Sequence, residues 1–394
     1  MQRDAFDAEV GVVGGGPSGA RAAERLSARG VDVVLWDPKA PWEKPCGGGL
    51  TAALVLAVPE LREVLPRAQV IDRIIAETNR SPSVELPLRR PIHVIARREL
   101  GAWQLDRARA AGVHVEADAV RATARVTPDL GGGWSVTLRS GAVRRVRALI
   151  GADGAASLVR TSVAPGLRVA LEPTRITYPP TVRDGEAAPI KAVIALRFSH
   201  GLHGYAWDFP RLGHHSVGAV VGPGGGTRAT LDAEIDALRS PTPAERQGAV
   251  IGSALYPLRH RGYQAIGGAD FALVGDAAGL ADPATGEGIT NAFVSGELAA
   301  DAYLRDRSLS RYPQLAAARF EREFRAARWL RRLLYDREYA VKLLDAAIHG
   351  ARFRAAAVVL VNDTNEHRSL AAMVLRTVIA LAFPSRYITV PSPI

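Results

Sequence analysis

One segment constrains the fold of this 394-residue chain more than any other. The apolar run Val10–Val13 leads into Gly14-x-Gly16-x-x-Gly19, and helical sequence follows from Ser18 to Ala28. Gly30 and a second apolar run, Val31–Leu35, come next, and the segment closes at Asp37. Strand, glycine turn, helix and strand in this order predict a βαβ unit. The first glycine permits the tight turn, the second lets the backbone approach a pyrophosphate, and the third lets helix and sheet pack closely. The helix N-terminus would face the phosphates with free N–H groups and its positive dipole end. A carboxylate at Asp37 can accept hydrogen bonds from a ribose hydroxyl. A glycine turn serving no ligand is the plain competitor, and the flanking strand, helix and acid argue against it. The motif alone does not separate NAD from FAD.

Two further segments place an acid and glycines after a strand. The run Arg147–Ile150 is followed by Asp153 and Gly154, and Phe271–Val274 by Gly275, Asp276, Gly286, Glu287 and Gly288. Open α/β sheets bind ligands at the carboxyl ends of their strands. Asp276 can reach a ribitol hydroxyl. Gly286 and Gly288 can present the N-terminus of a helix starting near Ile289, where partial positive charge would stabilise electron density on a flavin N1/C2 carbonyl. Either acid taken alone would be read as a cap or turn residue.

Cys46 is the sole cysteine, which excludes an internal disulfide framework and a cysteine-rich zinc site. It precedes Gly47, Gly48 and Gly49, a loop with little side-chain bulk that can pass closely over a flat ring. Tyr205, Trp207 and Phe209 fall at period two and share one strand face, an apolar wall suited to a long hydrocarbon or to a sheet core. Asp208 and His203 point the other way. His214 and His215 are expected on a turn, and lack a third ligand for a metal site; no metal is expected.

The ordered set of the first glycine turn, Arg97 in Arg-Arg-Glu-Leu, the Asp153 segment and the Asp276 segment resembles FAD-dependent oxidoreductases of the para-hydroxybenzoate hydroxylase type fold. Lys44–Leu50 and Tyr205-x-Trp207-x-Phe209-Pro210 narrow the resemblance to the geranylgeranyl reductase family. The resemblance covers about residues 9–300. It implies FAD, a reducing partner, and reduction of isoprenoid carbon–carbon double bonds by hydride transfer from reduced flavin. It also implies that Asp37, Arg97 and Asp276 contact FAD and that Cys46 with its glycines lies beside the isoalloxazine. The candidate cofactor-binding residues are therefore Gly14, Gly16, Gly19, Asp37, Gly47, Gly48, Arg97, Asp276, Gly286, Gly288 and Ile289. The candidate catalytic residues are Cys46, Tyr205 and Trp207, and the candidate substrate contacts Gly49, Tyr205, Trp207 and Phe209.

The expected fold class is α/β: a Rossmann-type FAD-binding domain, an inserted, mainly antiparallel β-sheet substrate domain, and a C-terminal helical region. The expected boundaries are 1–50, 97–160 and 255–300 for the first, 51–96 and 161–254 for the second, and 301–394 for the third. No second glycine motif follows a strand, so the electron donor is left between NAD(P)H, bound transiently, and a ferredoxin-like carrier. An FAD-dependent monooxygenase of an aromatic or polyketide-like substrate shares all the FAD segments; Cys46–Gly49 and the aromatic strand favour reduction. A flavin halogenase needs an active-site lysine that residues 45–190 lack. A lipid-carrying or redox-sensing flavoprotein without turnover is the non-enzymatic competitor.

The net charge is +10, and 46 of the 50 basic residues are arginine. Residues 302–394 carry sixteen basic and eight acidic side chains, so most of the imbalance lies in the last quarter. In Arg319–Leu334, Phe320, Phe324, Ala327 and Leu334 share a helical face, with Arg322, Arg325 and Arg332 largely off it. Such a helix packs on a core or lies on an anionic membrane. No recognition module accompanies the charge, so nucleic acid is not expected. With no signal peptide or spanning segment in view, the expected location is cytoplasmic, with peripheral membrane contact open.

Overall fold

The computed structural model describes residues 6–125, 132–179, 192–222, 225–238, 252–259 (backbone only) and 262–388. It has the expected fold class, with two sheets and a helical C-terminal region. The chain divides into two compact units, each assembled from three chain segments.

The first unit comprises Met1–Glu43, Arg97–Leu171 and Leu255–Phe324. Its seven-stranded sheet runs His114–Glu116, Val33–Trp36, Ala8–Val13, Val143–Gly151, Trp134–Leu138, Val120–Arg125, with Phe271–Leu273 also paired to Val143–Gly151. The central strands are parallel, with Val10 opposite Val33 on one side and Ala148 on the other. Val10, Val12, Leu35, Leu149 and Ile150 are fully buried, as a parallel sheet covered on both faces requires. Helix Pro17–Ser27 buries its alanines and Leu26. Helix Ile289–Asp306 lies close against it, since a Cβ at Gly296 would stand 2.3 Å from the Ser18 carbonyl oxygen.

The second unit comprises Lys44–Ala96, Glu172–Ala254 and Arg325–Ile394. Its eight-stranded sheet runs Gly252–Arg259, Val169–Thr177, His215–Val221, Gly204–Pro210, Ile194–Phe198, Gln69–Thr78, Val84–Val94, Gly49–Leu50. Gly204–Pro210 is antiparallel to both neighbours, and Ile194–Phe198 runs parallel to Gln69–Thr78. Helices Tyr339–His349 and Ala351–Asn365 bury Leu344, Ala347, Ala357 and Val358 against Ile71, Ile74, Leu86 and Val94 of the sheet.

The prolines in residues 51–96 suggest short strands, yet Gln69–Thr78 and Val84–Val94 are ten and eleven residues long. The ladder slips between Ile71 and Arg73, where Ile92 and Pro87 are the partners, so Leu88–Pro91 bulge out of it. Two asparagines of helix Ala351–Asn365 satisfy the released backbone. Asn362 accepts from the Arg89 N–H at 2.6 Å and donates to the Pro87 carbonyl at 2.9 Å; Asn365 donates to the Arg90 carbonyl at 2.9 Å. Each buried backbone group left unpaired would cost about 1–3 kcal/mol.

Candidate active site

In the first unit the glycine turn leaves one side open. Gly14 has φ +105°, and a Cβ at Gly19 would stand 1.9 Å from the Gly14 carbonyl oxygen, so neither tolerates a side chain. At Gly16 a Cβ would meet nothing within 4 Å. Gly16 is also the N-cap of helix Pro17–Ser27, and no side chain caps that terminus. The first N–H groups and the positive dipole end thus face free space.

Asp37 takes hydrogen bonds from the backbone N–H groups of Gly15 at 2.7 Å, Lys39 at 2.8 Å and Ala40 at 3.0 Å. A carboxylate has about four acceptor positions, so one is left for a ribose hydroxyl. Arg97 opens helix Arg97–Ala110 and is nine-tenths buried, with Nε lacking a partner among the described residues. Seven residues on, along the same helix face, Gln104 donates to the Pro17 carbonyl at 3.3 Å and leaves a buried Oε1 unpartnered. Two orphaned polar atoms, an uncapped helix and a bare glycine fit the diphosphate-bearing end of a dinucleotide. Gln104 carried a signal that the sequence reading passed over: a polar residue on the buried stripe with Arg97, Leu100 and Ala108.

The two later acids part ways. Asp153 is consumed by its own helix: Ser157 Oγ donates to it at 2.5 Å, and the N–H groups of Leu158 and Val159 at 2.7 and 3.0 Å. Burial pushes its carboxyl above the usual range. Asp276 lies in the turn Gly275–Ala278, and a Cβ at Gly288 would stand 3.4 Å from its Oδ1. Gly288 is the N-cap of helix Ile289–Asp306, again without a side-chain cap, and Gly286 holds φ +79°. Asp276, Gly286, Gly288 and Ile289 therefore surround one helix terminus. Glu287 sits there too: its Oε1 accepts from the Thr290 N–H at 2.7 Å and its buried Oε2 has no partner among the described residues. Desolvation, helped by the nearby Asp282 carboxylate, pushes its pKa up to about 7.

In the second unit the structure brings Cys46–Gly49 onto the aromatic strand. A Cβ at Gly47 would stand 3.3 Å from the Phe209 ring and one at Gly49 3.2 Å from it. Gly48 holds φ +83° and would meet the Ile95 carbonyl oxygen at 2.2 Å. Arg211, which the sequence reading did not single out, is fully buried beneath this loop. It donates to the carbonyls of Cys46 at 2.6 Å and Gly47 at 3.2 Å, and Ser216 Oγ donates to the Cys46 carbonyl at 2.9 Å. The Gly48 N–H donates to the free Cys46 thiol at 3.3 Å.

Tyr205, Trp207 and Phe209 share one sheet face. Tyr205 is 5.8 Å from Trp207 between ring centroids, and stacks at 6.2 Å on Tyr335, which a π-helical turn, Arg332–Asp336, supplies. On the opposite face Asp208 accepts a 2.6 Å hydrogen bond from His215, which is the first residue of a strand rather than part of a turn. Among the described residues no group of three or more His, Cys, Asp or Glu is arranged to hold a metal ion.

A Rossmann-type unit with this open glycine turn, joined in one chain to a sheet unit carrying a glycine loop on an aromatic strand, defines an FAD-dependent oxidoreductase. No protein-family model matches the sequence. Menaquinone reductase of Mycobacterium tuberculosis is 32% identical over 365 residues, 83% of this chain and 84% of that protein. Geranylgeranyl diphosphate reductase of Rhodobacter capsulatus is 29% identical over 86% of this chain and 85% of its own length. The solved geranylgeranyl bacteriochlorophyll reductase-like protein of Thermoplasma acidophilum has the same fold, with a TM-score of 0.70, 19% identity and 96% of each chain covered. Aklavinone-11 hydroxylase also shares it, with a TM-score of 0.61, 18% identity, and 87% of this chain and 72% of that one covered. The chain belongs to the geranylgeranyl reductase family of FAD-dependent oxidoreductases.

Proposed function

We propose that the protein reduces carbon–carbon double bonds in the prenyl chain of an isoprenoid substrate. The observation that carries this reading is the Cys46–Gly49 loop packed on Phe209, on the strand face that also bears Tyr205 and Trp207. The names of the relatives, a menaquinone reductase and a geranylgeranyl diphosphate reductase, support it. The dinucleotide would be held by Gly14, Gly16, Gly19, Asp37, Arg97 and Gln104 at its phosphate and ribose end, and by Asp276, Gly286, Gly288 and Ile289 at its other end. When bound and reduced, the flavin supplies a hydride to one alkene carbon, and the other carbon needs a proton.

An isolated alkene offers no charge to grip, so the chain's own residues must place it by shape and keep water out. The faces of Tyr205, Trp207 and Phe209 do the former. Cys46 is the proposed proton-holding group, its Sγ oriented by the Gly48 N–H and its backbone fixed by Arg211. Gly47 and Gly48 are proposed as flavin contacts and Gly49 as a substrate contact: a side chain at Gly48 would displace the loop, and one at Gly47 or Gly49 would crowd the Phe209 ring. The electron donor is either NAD(P)H or a ferredoxin-like carrier.

The test is anaerobic reduction of the purified FAD-loaded protein followed by short prenyl substrates, with mass detection of added hydrogen pairs. Alkene reduction is expected, together with at least a tenfold fall in turnover and unchanged flavin content for Cys46→Ser. Oxygen-dependent hydroxylation without alkene reduction would establish the monooxygenase reading instead.

A further inference from the structure

Three polar side chains on one face of the second unit's sheet are at least nine-tenths buried, and each leaves an atom without a partner among the described residues: Trp207 Nε1, Thr174 Oγ1 and Glu172 Oε2. Buried polar groups are paired so regularly that three orphans together call for a ligand. Their shared face follows from the register. Trp207 pairs with Gly218, and Gly218 with Ile176; Tyr205 pairs with Val220, and Val220 with Thr174. Directly opposed residues project to the same side, as do Glu172, Thr174 and Ile176 at spacing two. The Trp207 indole lies over Gly218, whose Cβ would stand 2.4 Å from Cζ2 and 2.7 Å from Cε2, so its nitrogen-bearing edge reaches across that strand.

Contacts above the sheet close a ring around these atoms. Glu172 Oε1 accepts from Arg331 at 2.7 Å, the Arg331 guanidinium lies 5.5 Å from the Tyr335 ring centroid, Tyr335 stacks on Tyr205, and Tyr205 meets Trp207. The ring offers an indole N–H donor, a hydroxyl that donates or accepts, a carboxyl oxygen and two aromatic faces. Among the described residues the ring's cation, Arg331, is already held by Glu172, so a diphosphate would bring charge that these residues do not balance.

We infer that Trp207, Thr174 and Glu172 form a headgroup subsite for a neutral, flat, oxygen-bearing ring of quinone or hydroquinone type. This inference rests on the prenyl-reductase reading and names the substrate class within it. The experiment is calorimetric titration of the FAD-loaded protein with three ligands of equal prenyl length: a prenyl naphthoquinone, a prenyl diphosphate and the oxygen-free prenyl hydrocarbon. The quinone is expected to bind at least tenfold more tightly than the diphosphate. Thr174→Val, close in shape, is expected to weaken quinone binding about threefold to tenfold and leave hydrocarbon binding unchanged. Should Thr174→Val not fold, Thr174→Ala removes the same hydroxyl with a smaller side chain, with the same expectation. Equal affinity for quinone and diphosphate, or quinone affinity within twofold of wild type in a folded variant, overturns the subsite. The expected binding pattern without chain reduction in the reduced protein would leave the subsite standing and refute the reductase reading alone.

Discussion

Glu287 shows how much a single residue can carry. Its carboxyl titrates near 7 in the folded protein against an ordinary value of 4.5. A carboxyl raised on folding favours the fold while protonated, so that contribution is whole below about pH 4.5 and is lost as pH climbs through 7. Glu287→Gln, which is neutral at every pH, is therefore expected to raise the apo protein's stability at pH 8, by on the order of 2–3 kcal/mol, and to change it little at pH 4.5. Urea unfolding at the two pH values measures this, and an equal effect at both would contradict it. Among single residues, those readable from sequence were the ones whose meaning is local. Gly14 and Gly19 reveal themselves because a turn and a close approach forbid a side chain there. Arg211 did not, because its acceptors lie 164 and 165 positions away, and nothing near Arg211 announces them.

At the level of the element, the helix Pro17–Ser27 and its turn separate two uses of glycine that look alike in sequence. Gly19→Ala would drive a methyl group into the Gly14 carbonyl oxygen, 1.9 Å away. It is expected to cost both FAD binding and stability, the latter by about 2 kcal/mol or more. Gly16→Ala meets open space and has φ −73°, which alanine adopts freely. It should leave stability within about 0.5 kcal/mol while lowering FAD affinity at least tenfold. Flavin absorbance after gel filtration, read beside thermal unfolding, distinguishes the two, and FAD retention by folded Gly16→Ala would move the pyrophosphate elsewhere. The βαβ element was legible because its signals are contiguous. The long proline-bearing strand Val84–Val94 was not, because its backbone is completed by Asn362 and Asn365, some 275 residues later.

For the molecule as a whole, the basic surplus of residues 302–394 now has specific apolar company. Helix Leu370–Ala382 exposes Val374, Leu375 and Val378, at spacings of one and three, with Phe383 exposed just beyond. No helix among the described residues is long and apolar enough to cross a membrane. Contact along a membrane surface is the remaining proposal, with each basic residue near an anionic surface contributing about 1 kcal/mol. Co-sedimentation with phosphatidylserine-containing vesicles at low salt is expected, weakened several-fold by Leu375→Asp and by about 0.5 M salt, which shortens the Debye length to about 4 Å. Protein left in the supernatant at low salt would dismiss the idea.

The sheet of the first unit also sets a timetable. Ala8–Val13 leaves the ribosome early, yet its neighbour Val143–Gly151 follows more than a hundred residues later, and Phe271–Leu273 later still. At roughly 5–20 residues per second, the interval from Ala8–Val13 to Val143–Gly151 is on the order of ten seconds. For that time the apolar nascent strand, paired on one edge with Val33–Trp36, waits with its other edge open for a partner not yet synthesised. Its synthesis in the cell should therefore depend on a holding chaperone during translation, more heavily than the stability of the finished fold would suggest.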